Sequence, residues 1–179
     1  GERIGVPARV GYHRLDQAAV LDTHGVPVVA LAGTCMEAGK TAAACALVRE
    51  FAHQGLRVDG LKATGVSLRR DILALEDAGA RATAIFTDLG VVSTTAKNSA
   101  QATRMLLTRL AAQTALPAQR ADLIVLELGD GLLGAYGVDA ILGDPELRSA
   151  FTAVVLAAND PVAAWGGIEL LRRDYGIEP

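Results

Sequence analysis

Two rhythms of apolar residues alternate along this chain. Val28–Ala32 is a short, nearly continuous apolar run bounded by Pro27 and Gly33, which by length and boundary predicts a strand buried on both faces. Leu56–Ala63, Ala82–Thr87, Asp122–Leu128 and Ala153–Ala158 have the same character, and DLIVLEL at 122–128 is the clearest of them. Between these runs the apolar residues fall at helical spacing. Thr41–Ala52 carries Ala44, Leu47, Val48 and Phe51 on one side, with Gly55 just beyond. Arg69–Ala78 is closed by Gly79, Ser99–Leu116 ends near Pro117, Ala140–Ala150 is a fourth segment, and Pro161–Arg173 opens on a proline. Strand and helix thus succeed one another throughout, and the strands are apolar on both sides. The prediction is an α/β fold, a parallel sheet with helices on both faces in three αβα layers.

Residues 1–26 read as a polar lead-in, the tail of something upstream, and residues 27–179 as the domain itself. The chain stops at Gly176-Ile-Glu-Pro179, where such a fold usually turns into one more strand. Both ends therefore suggest a piece of a longer parent. There is no internal repeat and no low-complexity tract.

The sharpest local feature joins the first strand to the first helix. Val28-Val-Ala-Leu-Ala runs into Gly33, five residues follow, and Gly39-Lys40-Thr41 opens a helix rich in alanine and leucine. A loop that wraps an anion with its backbone N–H groups needs glycines for the dihedrals and the close approach. The helix behind it aims its positive end at the same anion. The commonest form of this phosphate loop has four residues between its glycines, and here there are five. Gly33, Thr34, Glu37, Ala38, Gly39, Lys40, Thr41 and Ala42 are accordingly the candidate cradle of a nucleotide. Lys40 would reach the β- and γ-phosphates, and the Thr41 hydroxyl would ligate Mg²⁺. This places the expected fold among the P-loop NTPases.

Composition narrows the classes without choosing between them. With 179 residues, 51% hydrophobic and 21% charged, the chain can build a packed core and is not a disordered segment. A net charge of −3 offers no basic surplus for a polyphosphate backbone, so nucleic acid is not an expected partner. Cys35 and Cys45 cannot build a disulfide framework, and His13, His24 and His53 are scattered, so no zinc site is expected. Apolar runs are strand-sized and the N-terminus lacks a signal-peptide core, so no membrane partner and a reduced, cytoplasmic setting are expected.

Gly33-Thr-Cys-Met-Glu-Ala-Gly-Lys-Thr41 resembles the loop of dethiobiotin synthetase, Gly-Thr-Asp-Thr-Glu-Val-Gly-Lys-Thr. That family shares a P-loop class with MinD-like ATPases and the cobyrinic acid amidating synthetases. Gly60-Leu-Lys-Ala-Thr-Gly65 is similar to its Gly-Tyr-Lys-Pro-Val-x-Ser-Gly, Asp71-Ile-Leu-Ala-Leu75 to its Asp-Ala-Leu-Ala-Leu, and Leu126-Glu-Leu-Gly-Asp-Gly131 to its Val-Glu-Gly-Ala-Gly-Gly. The matched stretches span residues 28–131 in order. The resemblance implies an Mg·ATP enzyme, with ATP and Mg²⁺ bound and a homodimer as the assembly. It also implies phosphoryl transfer to a small carboxylate-bearing substrate as the first half of a ligase reaction. Lys40 and Lys62 would be catalytic, and Thr41, Asp71 and Glu127 would hold the metal.

Read from the residues alone, several of these assignments keep a plainer alternative. Glu127 at the end of a buried strand is costly unless metal-bound or paired with an arginine. Asp71 is equally an acid in the first turn of a helix, and Lys62 a lysine snorkelling from a strand end. Asp130, three residues after Glu127, is a rival or water-mediated metal ligand. Arg69 and Arg70 could orient a carboxylate, or simply solvate a helix start. Asn159, after the fifth strand, could pair with a purine edge, although Asn-Asp-Pro is also a helix-start signal. Thr87–Thr95, with Asp88, offers substrate contacts or a plain polar loop. Cys35 and Met36 replace an aspartate and a threonine of the resembled loop on the substrate side, which argues against the same diamine substrate. Cys35 reads as a small packing residue of the loop, Cys45 as core and Trp165 as packing. Two other readings stay open. One is a MinD-like switch ATPase, against which stands the lack of an extra lysine in Gly33-Thr-Cys-Met. The other is a P-loop acyltransferase holding a CoA phosphate, with an amino acid as its other substrate.

Overall fold

Strands that are apolar on both sides need cover on both sides, and the computed structural model, which describes residues 15–16, 19–66, 68–113 and 119–179, provides it. The strands are β1 (Val28–Gly33), β2 (Val58–Lys62), β3 (Ala82–Ile85), β4 (Leu123–Glu127) and β5 (Phe151–Ala157). They form one sheet in the order β3-β2-β4-β1-β5, and each pairing is parallel. The helices are α1 (Lys40–His53), α2 (Arg69–Asp77), α3 (Ser99–Ala111), α4 (Val138–Gly143), α5 (Pro145–Ala150) and α6 (Pro161–Tyr175).

Successive residues of a strand face opposite ways, so each strand feeds two cores. Val28, Ala30, Leu61, Ile124 and Leu126 pack with Leu106 and Leu107 of α3, Ile141 of α4, Leu147 of α5 and Leu171 of α6. Leu31, Val58, Leu123 and Val125 pack on the other side with Ala44 and Val48 of α1 and Leu75 of α2. The three αβα layers expected from the sequence are those observed. Among the described residues no helix is long and apolar enough to cross a membrane.

Some boundaries move, each for a local reason. The third strand ends at Ile85 instead of Thr87, because the Asp88 carboxylate accepts from the Ile85 amide at 2.9 Å and turns Phe86–Leu89 into a 3-10 helix. The single helix expected over Ala140–Ala150 is two. Asp144 precedes Pro145, which disfavours a helical residue before it, and it sits extended at φ −82, ψ 114. Its side chain then caps α5 through the amides of Glu146 and Leu147, while Arg104 of α3 clasps it from outside. The second strand starts at Val58, later than Leu56, and the fifth at Phe151, earlier than Ala153. The third helix ends at Ala111, earlier than the expected Leu116, where Ala112 closes its last turn. Within the lead-in, Leu15 and Leu21 lie against the larger core, and the Asp22 amide donates to Thr108 Oγ1 at 3.0 Å.

The N-terminal ends of the strands are held by arginine–carboxylate pairs. Arg57 donates to Asp122 from its amide, Nε and Nη2, the last at 2.6 Å. Arg81 donates to the fully buried Asp59 at 3.0 and 2.7 Å. The hydrogen bonds from Arg57 hold the Asp122 carboxyl down at about 2, from an ordinary 3.8. A depressed acid contributes stability that is present above the unfolded pKa and is lost as pH falls through the folded one. We therefore expect the Arg57–Asp122 contribution to fade between pH 4 and pH 2. Urea unfolding across that range should show a shallower pH slope for Asp122→Asn than for the wild type.

Candidate phosphate-binding site

The site is built where β1 becomes α1. Gly39 takes the N-cap position of α1 at φ 93, in the left-handed region, and no side chain caps the helix. The N-termini of α5 and α6 are capped by Asp144 and Asp160, while α2, α3 and α4, like α1, have no side-chain cap. A helix leaves its first amides without intrahelical partners, so α1 presents uncapped donors and a positive dipole end at the C-terminal edge of the sheet. The first turn of α1 contains no acid to oppose an incoming anion.

Lys40 is only 3% exposed. Its Nζ donates to the carbonyls of Cys35 at 2.7 Å and Met36 at 3.2 Å, so the ammonium lies inside the loop it belongs to. Its stem runs over Gly33, where a Cβ would come within 2.8 Å of it. Burial lowers the Lys40 pKa, and the negative charge of Glu127 works the other way. Thr41, next in the helix, donates from Oγ1 to Glu127 Oε1 at 2.7 Å. Glu127 ends β4, is 3% exposed, and its second oxygen, Oε2, is buried without a hydrogen-bond partner. Parallel register sets Lys62 of β2 directly beside Glu127. Lys62 is likewise buried and its pKa is lowered by that burial, with Glu127 opposing. It forms an ion pair with Asp71 in the first turn of α2.

Lys40, Thr41, Lys62, Asp71, Glu127 and Glu37 thus line one cleft of about 170 Å³, together with Asp130. The sequence places these residues more than eighty positions apart at the extremes. Ala38 is buried beneath the loop, and Ala42 and Glu37 are exposed at its surface. Asn159 does not line the cleft. It stands on the other flank of the loop, with Nδ2 3.2 Å from Cys35 Sγ. Thr34, on that flank too, keeps a buried Oγ1 with no partner. Cys35 is exposed instead of packed. Trp165 is 68% exposed on α6, so it is not the packing residue the sequence suggested. Arg69 and Arg70 are exposed, and Arg70 borders the cleft. Asp88 caps its own turn and does not line the cleft. Cys45 is half-buried beside the smaller core. Among the described residues no group of three His, Cys, Asp or Glu side chains is placed to hold a metal by itself.

Of the loop after β4, Gly129-Asp-Gly-Leu-Leu-Gly-Ala-Tyr-Gly137, the sequence reading singled out Gly129–Gly131 and Asp130 but missed the rest. Three buried hydroxyls pin it: Thr64 Oγ1 donates to Gly129 O, Thr94 Oγ1 to Tyr136 O and Ser99 Oγ to Gly137 O, at 2.7–2.8 Å. Its backbone lies on the phosphate loop, since the Leu132 amide donates to Gly33 O at 2.9 Å. Asp130 within it adopts φ 81, at a cost of roughly 1–2 kcal/mol for a side-chain-bearing residue. Tyr136 reaches the cleft. The glycine density of this stretch was the available signal.

No known family profile matches this chain, and no curated protein matches it. Among solved structures it is similar to the signal recognition particle receptor FtsY from Elizabethkingia anophelis, at 17% identity with a TM-score of 0.49. The match covers 74% of this chain and 41% of that one, so the chain spans less than half the length of that protein.

The close approach of the two loops is testable. A Cβ at Gly129 would stand 2.3 Å from Thr64 O, and one at Gly131 2.8 Å from Thr34 O, both backbone atoms. Gly129→Ala and Gly131→Ala should each lose about 1–3 kcal/mol in urea unfolding. Gly143→Ala, with nothing within 4 Å, should change stability by less than about 0.5 kcal/mol.

Proposed function

We propose that this chain binds a nucleoside triphosphate with Mg²⁺, ATP in the first instance, on the loop from Gly33 to Thr41. In this reading it transfers the γ-phosphoryl group to a small carboxylate-bearing substrate. The observation that carries the reading is the uncapped N-terminus of α1, with a buried lysine folded into the same loop. Amides and an ammonium converging on one point make a seat for a polyanion. Lys40 would exchange the carbonyls of Cys35 and Met36 for phosphate oxygens, and Lys62 would face the transferring group from the neighbouring strand.

The donor set fits a hydrated magnesium ion. Thr41 Oγ1 and Glu127 are hard oxygen donors in contact with each other, and the buried Glu127 Oε2 has no hydrogen-bond partner. When bound, Mg²⁺ neutralises charge on the phosphates. The chain's residues do the rest: the loop fixes the triphosphate, Lys62 and Arg70 attract the acidic substrate, and the cleft limits its size. The substrate carboxylate oxygen attacks the γ-phosphorus, the bond to the β,γ-bridging oxygen breaks, and that oxygen takes the electron pair. The acyl phosphate formed is then open to an amine, which is the ligase half of the reaction. Resemblance to the dethiobiotin synthetase loop supports this chemistry, while Cys35 and Met36 support a substrate other than that family's.

Calorimetry with ATP, GTP and CoA, with and without Mg²⁺, separates this reading from a switch GTPase and from a CoA-dependent acyltransferase. Mg·ATP should bind, and Lys40→Ala should weaken it by roughly 30–150-fold, the 2–3 kcal/mol of charge-assisted hydrogen bonds. Unchanged affinity in that variant would remove the proposal. Glu127→Gln should reduce the Mg²⁺ enhancement of ATP affinity by roughly tenfold or more while sparing metal-free binding. Equal losses with and without the ion would make Glu127 structural.

A further inference from the structure

The cleft holds three carboxylates of unequal standing. Asp71 is engaged: Lys62 donates to its Oδ2, and Arg70 Nε lies 3.6 Å from Oδ1. Glu127 is half engaged, giving Oε1 to Thr41 and leaving the buried Oε2 without a donor. Asp130 is open. Among the described residues no hydrogen bond or ion pair reaches its carboxylate, and the residue lines the same cleft as Glu127 and Thr41.

Asp130 is also held there against its backbone preference. It sits at φ 81 between Gly129 and Gly131, in a loop fixed by Thr64, Thr94 and Ser99. Its carboxylate rests against the loop at Gly134, where a Cβ would overlap it. A glycine would occupy this position without strain. A negative group beside a phosphate seat repels the ligand unless a cation stands between them. Lys40 donates to the Cys35 and Met36 carbonyls, and Lys62 is paired with Asp71, so neither donates a hydrogen bond to Asp130, whose charge reaches Lys40 only at longer range.

Resting on the nucleotide reading above, we infer that Asp130, with Thr41 and Glu127, contacts the hydrated divalent cation of the nucleotide, and that Asp71 acts on Lys62 instead. Two carboxylates and a hydroxyl beside phosphate oxygens and retained waters are the donor set that Mg²⁺ takes in nucleotide sites. The Lys62–Asp71 pair then holds the second cation toward the substrate.

The test is Mn²⁺ binding to the full chain, followed by electron paramagnetic resonance of the free ion, in the presence of a non-hydrolysable ATP analogue. Asp130→Asn and Asp130→Gly should each weaken Mn²⁺ by roughly tenfold or more, with metal-free analogue affinity unchanged or tighter. Asp71→Asn should weaken Mn²⁺ less than about threefold, within the spread of a group that is not a ligand. Asp130→Gly relieves the φ strain and should melt at or above the wild-type temperature, which separates loss of a ligand from loss of fold. Mn²⁺ affinity within twofold of wild type in Asp130→Gly overturns the inference, as does a loss in Asp71→Asn equal to that in Asp130→Asn. Those outcomes leave nucleotide binding intact. A wild-type chain that binds no analogue under either condition overturns both readings together.

Discussion

The turn from β1 into α1 constrains everything around it. A parallel strand delivers the chain to the C-terminal edge of the sheet, and a glycine in the left-handed region reverses it directly into a helix with no side-chain cap. The electrostatic result is a set of amides and a helix dipole with no side-chain cap and no acid within the first turn itself. Lys40 adds a cation and satisfies it on the loop's own carbonyls. Backbone oxygen thus takes the place of water around the buried ammonium. The helix end has no side-chain cap.

The neighbouring strand ends answer this concentration of positive charge. Lys62 and Glu127 are register partners at the last residues of β2 and β4, both nearly inaccessible to solvent. Burying either alone would cost several kcal/mol. Together with Asp71 and Thr41 they form a small network in which most polar atoms are satisfied and one, Glu127 Oε2, is not. The N-terminal edge of the sheet carries charge too, but there Arg57 with Asp122 and Arg81 with Asp59 close on each other. Charge at one edge is mutually quenched; at the other it is left open on a cleft.

Much of the fold was legible because each strand is apolar on both faces and each helix has a start or stop signal in its own residues. The turn from Gly33 to Thr41 was legible for a similar reason, since it rests on glycines, one lysine and one hydroxyl in immediate succession. Errors arose where a contact distant in sequence decides the local path. Asp144 breaks a helical stretch with help from Pro145 and from Arg104 on another element. The role of the loop from Gly129 to Gly137 depends on hydroxyls from three other segments, none of which has a spacing rule.

By itself, then, the order of residues determined a parallel α/β sheet and the glycine turn from β1 into α1, because periodicity and glycine placement act over a few positions and survive without context. Only the tertiary structure decided which charges meet. It paired Asp71 with Lys62, left Asp130 open, and turned Asn159 to the far flank of the loop. Pairing depends on strand register and on which helix covers which face, and those follow from how the whole core closes, not from any single stretch of chain.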